Sequence, residues 1–266
     1  MIVTLLTDYG PDDDFAGICH GVIASIAPDV RVIDLTHGIP RFDVRRGALA
    51  LRDALPFVPV GVHVAVVDPQ VGTERRGVAL RTLEGRVFVG PDNGLLSLAA
   101  ERAGGVDVAV DITRSPHRLE PVSATFHGRD LFAPVAAVLA AGAEIAEAGT
   151  PVDPAELQAI ELPRASVEGD TLVAHVLYLD GFGNATLDAG HDDLAGSGLT
   201  LGRTVDLQVG ARRLAATYTS TFADVDPGEA IVYEDAQRAL ALAINRGDAA
   251  TTLGLAHDTE VRLRPR

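Results

Sequence analysis

Val64-Ala65-Val66-Val67-Asp68-Pro69-Gln70-Val71-Gly72-Thr73-Glu74-Arg75-Arg76-Gly77 is the stretch whose reading decides the fold. Val64 to Val67 is an unbroken apolar run, the pattern of a parallel strand buried on both faces. Asp68-Pro69 ends it, because proline cannot donate to a sheet ladder. A carboxylate therefore stands at the C-terminal tip of a central strand, where open α/β sheets bind ligands. Arg75 follows after a turn in which Gly72 lets the backbone reverse. An acid and an arginine at one strand end either orient a small nucleophile or tether a loop by an ion pair beside a solvated Arg76. These residues alone leave both readings open.

Working outward, the flanking segments support a parallel sheet. Ile2 to Thr7 reads as a first buried strand that ends in Asp8-Tyr9-Gly10. Asp12, Asp13 and Asp14 offer capping carboxylates to a helix with Phe15, Ile18, Val22 and Ile26 on one face. Val30 to Leu35 is the next strand, and a helix from about Asp43 places Val44, Ala48, Leu51 and Leu55 at helical spacing. Strand–helix–strand–helix–strand is the order of right-handed parallel crossovers. Past Gly77, Val78 to Leu83 and Val87 to Val89 flank Glu84-Gly85 as a hairpin. Pro91-Asp92-Asn93-Gly94 is a turn, Leu95 to Ala100 starts a helix, and Val106 to Ile112 is a strand. Thr125-Phe126-His127-Gly128-Arg129-Asp130 then leads into an alanine-rich helix ending near Leu139.

Pro151, Pro154 and Pro163 mark a boundary. The expected organisation is an N-terminal α/β domain over residues 1–150, a linker over 151–165 and a smaller β-rich domain over 166–266. In the last, Leu172 to Leu179, Leu201 to Val209 and Leu214 to Thr219 carry short β patterns between glycine turns. A single helix is expected near Asp235 to Asn245.

Composition narrows the function. The 266 residues are 47% hydrophobic and 22% charged, an ordinary globular balance. No apolar run is long enough to span a bilayer, and no basic segment of the secretory type precedes the first strand. With Cys19 as the one cysteine, no internal disulfide is possible, and the expectation is a cytoplasmic protein with no membrane partner. A formal net charge of −15 argues against nucleic acid, whose phosphates would be repelled. The 22 basic residues are all arginine, which removes Schiff-base and phosphate-loop lysine chemistry. The eight histidines include no HxxxH pair and there is no CxxC, so the sequence predicts no metal site. Phosphate-cradle and nucleophile-elbow motifs are also missing. Polar residues at strand ends and loops remain: Asp8, Asp68, Arg75, His127 and Asp130.

Six stretches in this order resemble one family over nearly the whole chain. They are Leu5-Leu6-Thr7-Asp8-Tyr9-Gly10, Asp34-Leu35-Thr36-His37, Val67-Asp68-Pro69 with Val71-Gly72-Thr73, Pro91-Asp92-Asn93-Gly94, Phe126-His127-Gly128-Arg129-Asp130-Leu131-Phe132-Ala133-Pro134, and Asp180 with Phe182-Gly183-Asn184. Together they resemble the S-adenosyl-L-methionine (SAM) hydrolases, or SAM hydroxide adenosyltransferases, relatives of the fluorinase and chlorinase enzymes. The resemblance implies an α/β N-terminal domain, a C-terminal β-barrel and a homotrimer. Its active sites would lie between one subunit's N-terminal domain and its neighbour's C-terminal domain.

The hydrolase branch carries an Asp, an Arg and a His, which fall on Asp68, Arg75 and His127. Gly128 stands where the fluorinase likeness would place a halide-binding serine. By the same likeness Asp8 would bind the ribose hydroxyls, and Phe42, Phe126, Phe182 and Phe222 would wall the nucleoside. Asn184 would read the adenine and Asp180 would meet the methionine amino group. Three positions depart from the family's pattern: Gln70, Leu187-Asp188, and Asp235-Ala236-Gln237-Arg238 near the methionine end, where Arg238 would supply a carboxylate contact.

The implied reaction is attack of water on C5′ of the sulfonium, without metal or other cofactor. Arg75 would stabilise developing hydroxide while Asp68 and His127 orient the water and accept its proton. The alternatives are a non-catalytic SAM or adenosine-binding protein and, less favoured, a halogenase.

Overall fold

The computed structural model describes residues 1–266, which divide into two units, Met1–Ile160 and Glu161–Arg266. The first unit runs β1 (Ile2–Thr7), α1 (Phe15–Ile26), β2 (Arg31–Thr36), α2 (Val44–Ala54), β3 (Val62–Val66), β4 (Gly77–Thr82), β5 (Val87–Pro91), α3 (Ser97–Arg102), β6 (Val106–Asp111), α4 (Ala133–Ala140) and β7 (Thr150–Val152). Its seven strands are ordered β2-β1-β3-β5-β4-β6-β7. The β2, β1, β3 and β5 strands are mutually parallel, and β4, β6 and β7 extend the sheet in antiparallel steps.

All five residues of β3 are buried, as its apolar run requires. Alternation along β1 sends successive side chains to opposite faces. Val3 and Leu5 join a core with Cys19 and Ile23 of α1 and with α4. Leu6 faces α2, which approaches so closely that a Cβ on Gly47 would lie 2.7 Å from Leu95 Cδ1 and 3.0 Å from Val67 Cγ2. The result is a sheet with helices on both faces.

Two expectations for α1 change. Its buried residues are Cys19 and Ile23, with Ile18, Val22 and Ile26 half-buried beside them, and Phe15 is 39% exposed. Asp14 has helical backbone and makes no side-chain cap, so it is simply the last residue before the helix. At Asp43 the expected cap is present, accepting from Arg46 N at 2.9 Å. The expected 151–165 connector stays on the first unit as far as Ile160: β7 pairs with β6, Gln158 N donates to Asp92 at 2.8 Å, and Ile160 N donates to Ser97 at 3.1 Å.

The second unit contains β8 (Ser166–Glu168), β9 (Thr171–Leu179), β10 (Ala185–Gly190), β11 (Thr204–Val209), β12 (Arg212–Tyr218), β13 (Ala230–Glu234), β14 (Ala239–Ile244), α5 (Ala249–Leu253) and β15 (Glu260–Pro265). Pairing runs β10-β14-β13-β12-β11-β15-β9 and returns to β10, closing a seven-stranded barrel, with the short β8 paired to β9 beside it. The helix expected near Asp235 to Asn245 is instead a turn followed by β14. Ala239-Leu240-Ala241-Leu242-Ala243-Ile244 alternates small and large residues, and Leu240, Leu242 and Ile244 enter the barrel core. The period of two overrides alanine's helix preference. The helix of this unit is α5, capped by Asp248 and closed by Gly254 in the left-handed region. No helix of the protein is long and apolar enough to cross a membrane.

His63, inside β3, is fully buried. Its Nε2 accepts from Arg86 Nη1 at 3.2 Å, which leaves Nδ1–H to donate to Thr4 Oγ1 at 2.9 Å. Burial first, and the Arg86 charge second, push its pKa from 6.5 down to about 4. Between these values the unfolded chain binds the extra proton. Stability is therefore full above pH ~6.5 and falls as pH drops towards ~4, by about 3 kcal/mol from this group. Urea unfolding at pH ~7 and ~4.5 is expected to show a smaller pH dependence in His63→Gln than in wild type. Equal dependence would reject the assignment.

Candidate active site

Asp68 sits two residues past β3, and the strand tip is fixed from two sides. Asn93 Nδ2 donates to Val67 O at 2.9 Å, and Asp92 takes Arg76 Nε at 3.0 Å. Arg76 also bonds Glu156, so it is a loop anchor and not the solvated side chain that one of the two sequence readings gave it. The 91–94 turn thus supports the end of β3. Gly72 has a φ of +80°, and a Cβ there would strike Ala124 O, so the loop carrying Arg75 can lie against the segment that leads to His127. His127 itself precedes a single π turn, Gly128–Phe132, a local widening common at functional sites. Asp130 ties this segment down by accepting from Ser123 N at 2.8 Å and from Arg129 Nε at 2.6 Å.

These elements bring Asp68, Arg75 and His127 together. Arg75 Nε donates to Asp68 at 3.0 and 3.1 Å, and Arg75 Nη2 donates both to Asp68 Oδ2 and, at 2.8 Å, to His127 Nδ1. The guanidinium also lies 5.3 Å from the Phe132 ring centroid. Side-chain exposure is only 4% for Arg75 and 5% for Asp68. Because arginine can only donate, His127 Nδ1 is the acceptor and its proton resides on Nε2. Burial, with the Arg75 charge second, holds the His127 pKa below its ordinary value.

A cavity of about 400 Å³ opens onto Asp68 and His127, within the range of small-molecule sites. Asp8, Phe42, Phe126 and Gly128 also line it. Arg75 does not, so its place is behind the two wall residues, linking them. Asp8 Oδ2 accepts from Phe42 N at 2.9 Å, an arrangement reached with Phe42 at a φ of 67°. For a bulky residue that conformation is costly. Burial, chiefly, raises the Asp8 pKa, and neighbouring Asp68 adds to the shift.

The sequence reading assigned no site role to Tyr9, Arg41 or Asp13, the last offered only as a helix cap, and it gave Phe15 to the helix core; all four line this cavity. Tyr9, Phe15 and Phe126 form a mutually tilted aromatic wall with centroids 4.9–5.8 Å apart. Tyr9 directly follows Asp8 at the tip of β1, which is the signal that could have found it.

The remaining expected residues belong to the second unit. Asp180 Oδ1 accepts from Phe182 N at 2.8 Å and Asn184 N at 2.9 Å, and its Oδ2 accepts from Asn184 Nδ2 at 2.9 Å. This self-bonded turn joins β9 to β10 and leaves the Phe182 side chain 82% exposed. Phe222 packs 5.1 Å from Tyr233. Arg238 is exposed on the β13–β14 turn at a φ of 65°, and Asp235 organises that turn by accepting from Gln237 N and Ala239 N. Asp188, one of the departures, is paired with His175 at 2.6 and 2.9 Å.

Comparison with known proteins agrees with this architecture. Residues 3–149 match the SAM hydroxide adenosyltransferase N-terminal domain, and residues 174–262 match the C-terminal domain of the same family. A protein of Salinispora tropica named (R)-S-adenosyl-L-methionine hydrolase is 46% identical, over 98% of this chain and 97% of its own length. A fluorinase of an Actinoplanes species is 28% identical over 92% and 91%. A solved structure from Thermotoga maritima, described as an uncharacterized conserved protein, superposes with a TM-score of 0.90 at 33% identity, covering 99% of this chain and all of that one. With both of its units matched in order, the chain belongs to the SAM hydroxide adenosyltransferase family.

Proposed function

We propose that this protein hydrolyses S-adenosyl-L-methionine to adenosine and L-methionine by direct attack of water on C5′. The observation that carries the reading is the Arg75-linked pair Asp68 and His127 on one wall of a largely apolar cavity. The name borne by the Salinispora relative supports it.

In this reaction the C5′–O bond forms as the C5′–S bond breaks. The bonding electrons leave on sulfur to give neutral methionine. The water proton passes to Asp68 and then to solvent. Hydroxide character and sulfonium charge cancel along the path, so a site that strips both of bulk water lowers the barrier. His127, protonated on Nε2, donates to the attacking oxygen and aims it. Arg75 acts one layer back: it orients both wall residues and lends them positive charge. Asp8 takes the ribose hydroxyls, and the Tyr9–Phe15–Phe126 wall excludes competing water. No step requires a cofactor.

The exposed aromatic Phe182 and the Asp180–Asn184 turn, with Phe222 and Arg238, complete the site from a neighbouring subunit of a homotrimer in the cytoplasm. Large exposed aromatics on both units, Phe42 at 66% and Phe182 at 82%, support an interface use. Halide is disfavoured as nucleophile because Asp68 places negative charge beside the attacking position.

Turnover of SAM in oxygen-18 water is expected to give adenosine labelled in its 5′-hydroxyl, with inversion at a chirally deuterated C5′. Overall retention would point instead to a covalent intermediate on Asp68, and absence of adenosine would remove the proposal. A pH profile adds a second check. Protonating His127 at Nδ1 destroys the Arg75 bond, and its pKa is depressed. kcat/KM is therefore expected to hold as pH drops through histidine's ordinary range and to fall only below it. An acid limb at or above the ordinary histidine value would contradict this role.

A further inference from the structure

The spacing of histidines along the chain shows no metal motif, yet the fold assembles a donor set from two separate segments. His20 on α1, Asp34 on β2 and His37 just after β2 converge so that their ligand atoms all lie within 4.8 Å of one another. His20 Nε2 is 2.8 Å from Asp34 Oδ1, and His37 Nε2 is 3.1 Å from the same oxygen. We propose that His20, Asp34 and His37 form a binding site for one divalent transition-metal cation of the zinc or cobalt class, which staples α1 to the end of β2.

Two imidazoles and a carboxylate are the donors such ions prefer. Metal–ligand bonds of ~2.0–2.2 Å place neighbouring donors about 3 Å apart, and both histidine–Asp34 pairs already have that spacing. The ion therefore enters with small side-chain movements. The ring of His37 is also held from behind: its Nδ1 lies 2.9 Å from Thr7 Oγ1. That hydroxyl accepts Tyr9 N–H at 3.2 Å and has a second lone pair for Nδ1–H. With the proton on Nδ1, the Nε2 lone pair is available to the metal, the arrangement of an outer-shell partner fixing a ligand histidine. His37 Nε2 is buried, and the polar atom it faces is Asp34 Oδ1 at 3.1 Å. The side chains of His20 and Asp34 are 36% and 45% exposed, so an ion can reach the site from solvent and keep water in its remaining positions.

His20 belongs to α1 and Asp34 to β2, so an ion held by both would tie the two elements together. Thr7 immediately precedes Asp8, and His37 O accepts Gly10 N at 2.8 Å. A cation here would therefore stiffen the strand ends from which Asp8 and Tyr9 project. The proposal concerns structure and stands whether or not the hydrolase reading does.

Protein stripped with a chelator is titrated with Zn²⁺ alone by calorimetry and with Co²⁺ alone by visible absorption. One equivalent is expected, with ligand-field bands from Co²⁺ and a thermal midpoint that rises with Zn²⁺ concentration. His20→Ala and Asp34→Asn, at a half-buried and an exposed position, are each expected to weaken binding at least ~10-fold and to abolish the thermal shift. His191→Ala, which removes an exposed histidine of the second unit, is expected to leave binding unchanged. Binding that survives both ligand substitutions, or is lost with His191, overturns the assignment. So does the lack of any Zn²⁺-dependent heat or shift in wild type, the result expected if the cluster is only a histidine–carboxylate hydrogen-bond network.

Discussion

Asp68→Asn is expected to lower kcat by about 10³-fold while the protein stays folded. Asparagine keeps one acceptor for Arg75 and a similar volume, but it sets an amide N–H₂ against the guanidinium, so the negative charge, the proton affinity and one Arg75 bond are lost together, at some cost in stability. Near-normal binding of substrate is expected, because Asp8 and the aromatic wall are untouched. Arg75→Ala should be similarly slow for a different reason. It releases His127 from its tautomer and strands the buried Asp68 charge, so it also lowers stability. Asp68→Asn combined with His127→Ala should cost little more than either alone, since the proposed mechanism has both act on one water. Circular dichroism separates unfolding from a chemical defect. A variant of Asp68 that keeps a tenth or more of wild-type kcat, or losses that multiply across the pair, would remove the water-orienting role.

The parts of the molecule legible in the sequence are those written in local pattern. The apolar run ending at Asp68-Pro69 is a buried strand with its carboxylate at the tip, and Asp180-Gly181-Phe182-Gly183-Asn184 is a hairpin turn. What escaped has a physical reason in each case. Ala239–Ile244 looks helical by composition, and only its large–small alternation reveals a strand facing a barrel core. Arg75 is near Asp68 in sequence, but its position behind the cavity wall depends on the fold of the 124–128 segment. The His20–Asp34–His37 cluster has no full sequence signature because local spacing pairs only Asp34 with His37, and the fold of α1 against β2 brings in His20. Phe15 fits the helix period equally well as core or as cavity wall. The structure assigns it to the wall because Tyr9 and Phe126 already stand there.

Gly128→Ala is expected to reduce kcat/KM by about 10²-fold, and Tyr9→Phe to restore most of it. A Cβ built on Gly128 falls on the Tyr9 hydroxyl, so one of the two must move. Tyr9 has little freedom to do so: its ring is wedged between Phe15 at 5.5 Å and Phe126 at 5.8 Å, and burial keeps its phenol protonated by raising its pKa far above the ordinary value. The strain therefore passes into the cavity, displacing either the aromatic wall or the backbone that carries His127. Misplacement of that kind degrades alignment of water with C5′ more than it weakens binding. Removing the hydroxyl leaves Tyr9 Cζ at 3.1 Å and Phe126 Cε2 at 3.4 Å from the new methyl, contacts relieved by shifts of a few tenths of an ångström. Tyr9→Phe alone should therefore be mild, and the double variant should recover to within ~10-fold of wild type, a strongly non-additive cycle. The same geometry explains why a serine, the residue that the fluorinase likeness would place at position 128, has no room here while Tyr9 keeps its present rotamer. Gly128→Ser should behave like Gly128→Ala, and its combination with Tyr9→Phe should regain hydrolysis without gaining halide transfer, because Asp68 remains. Additive losses in the double variants would show that residue 128 acts on catalysis by some route other than the space occupied by Tyr9.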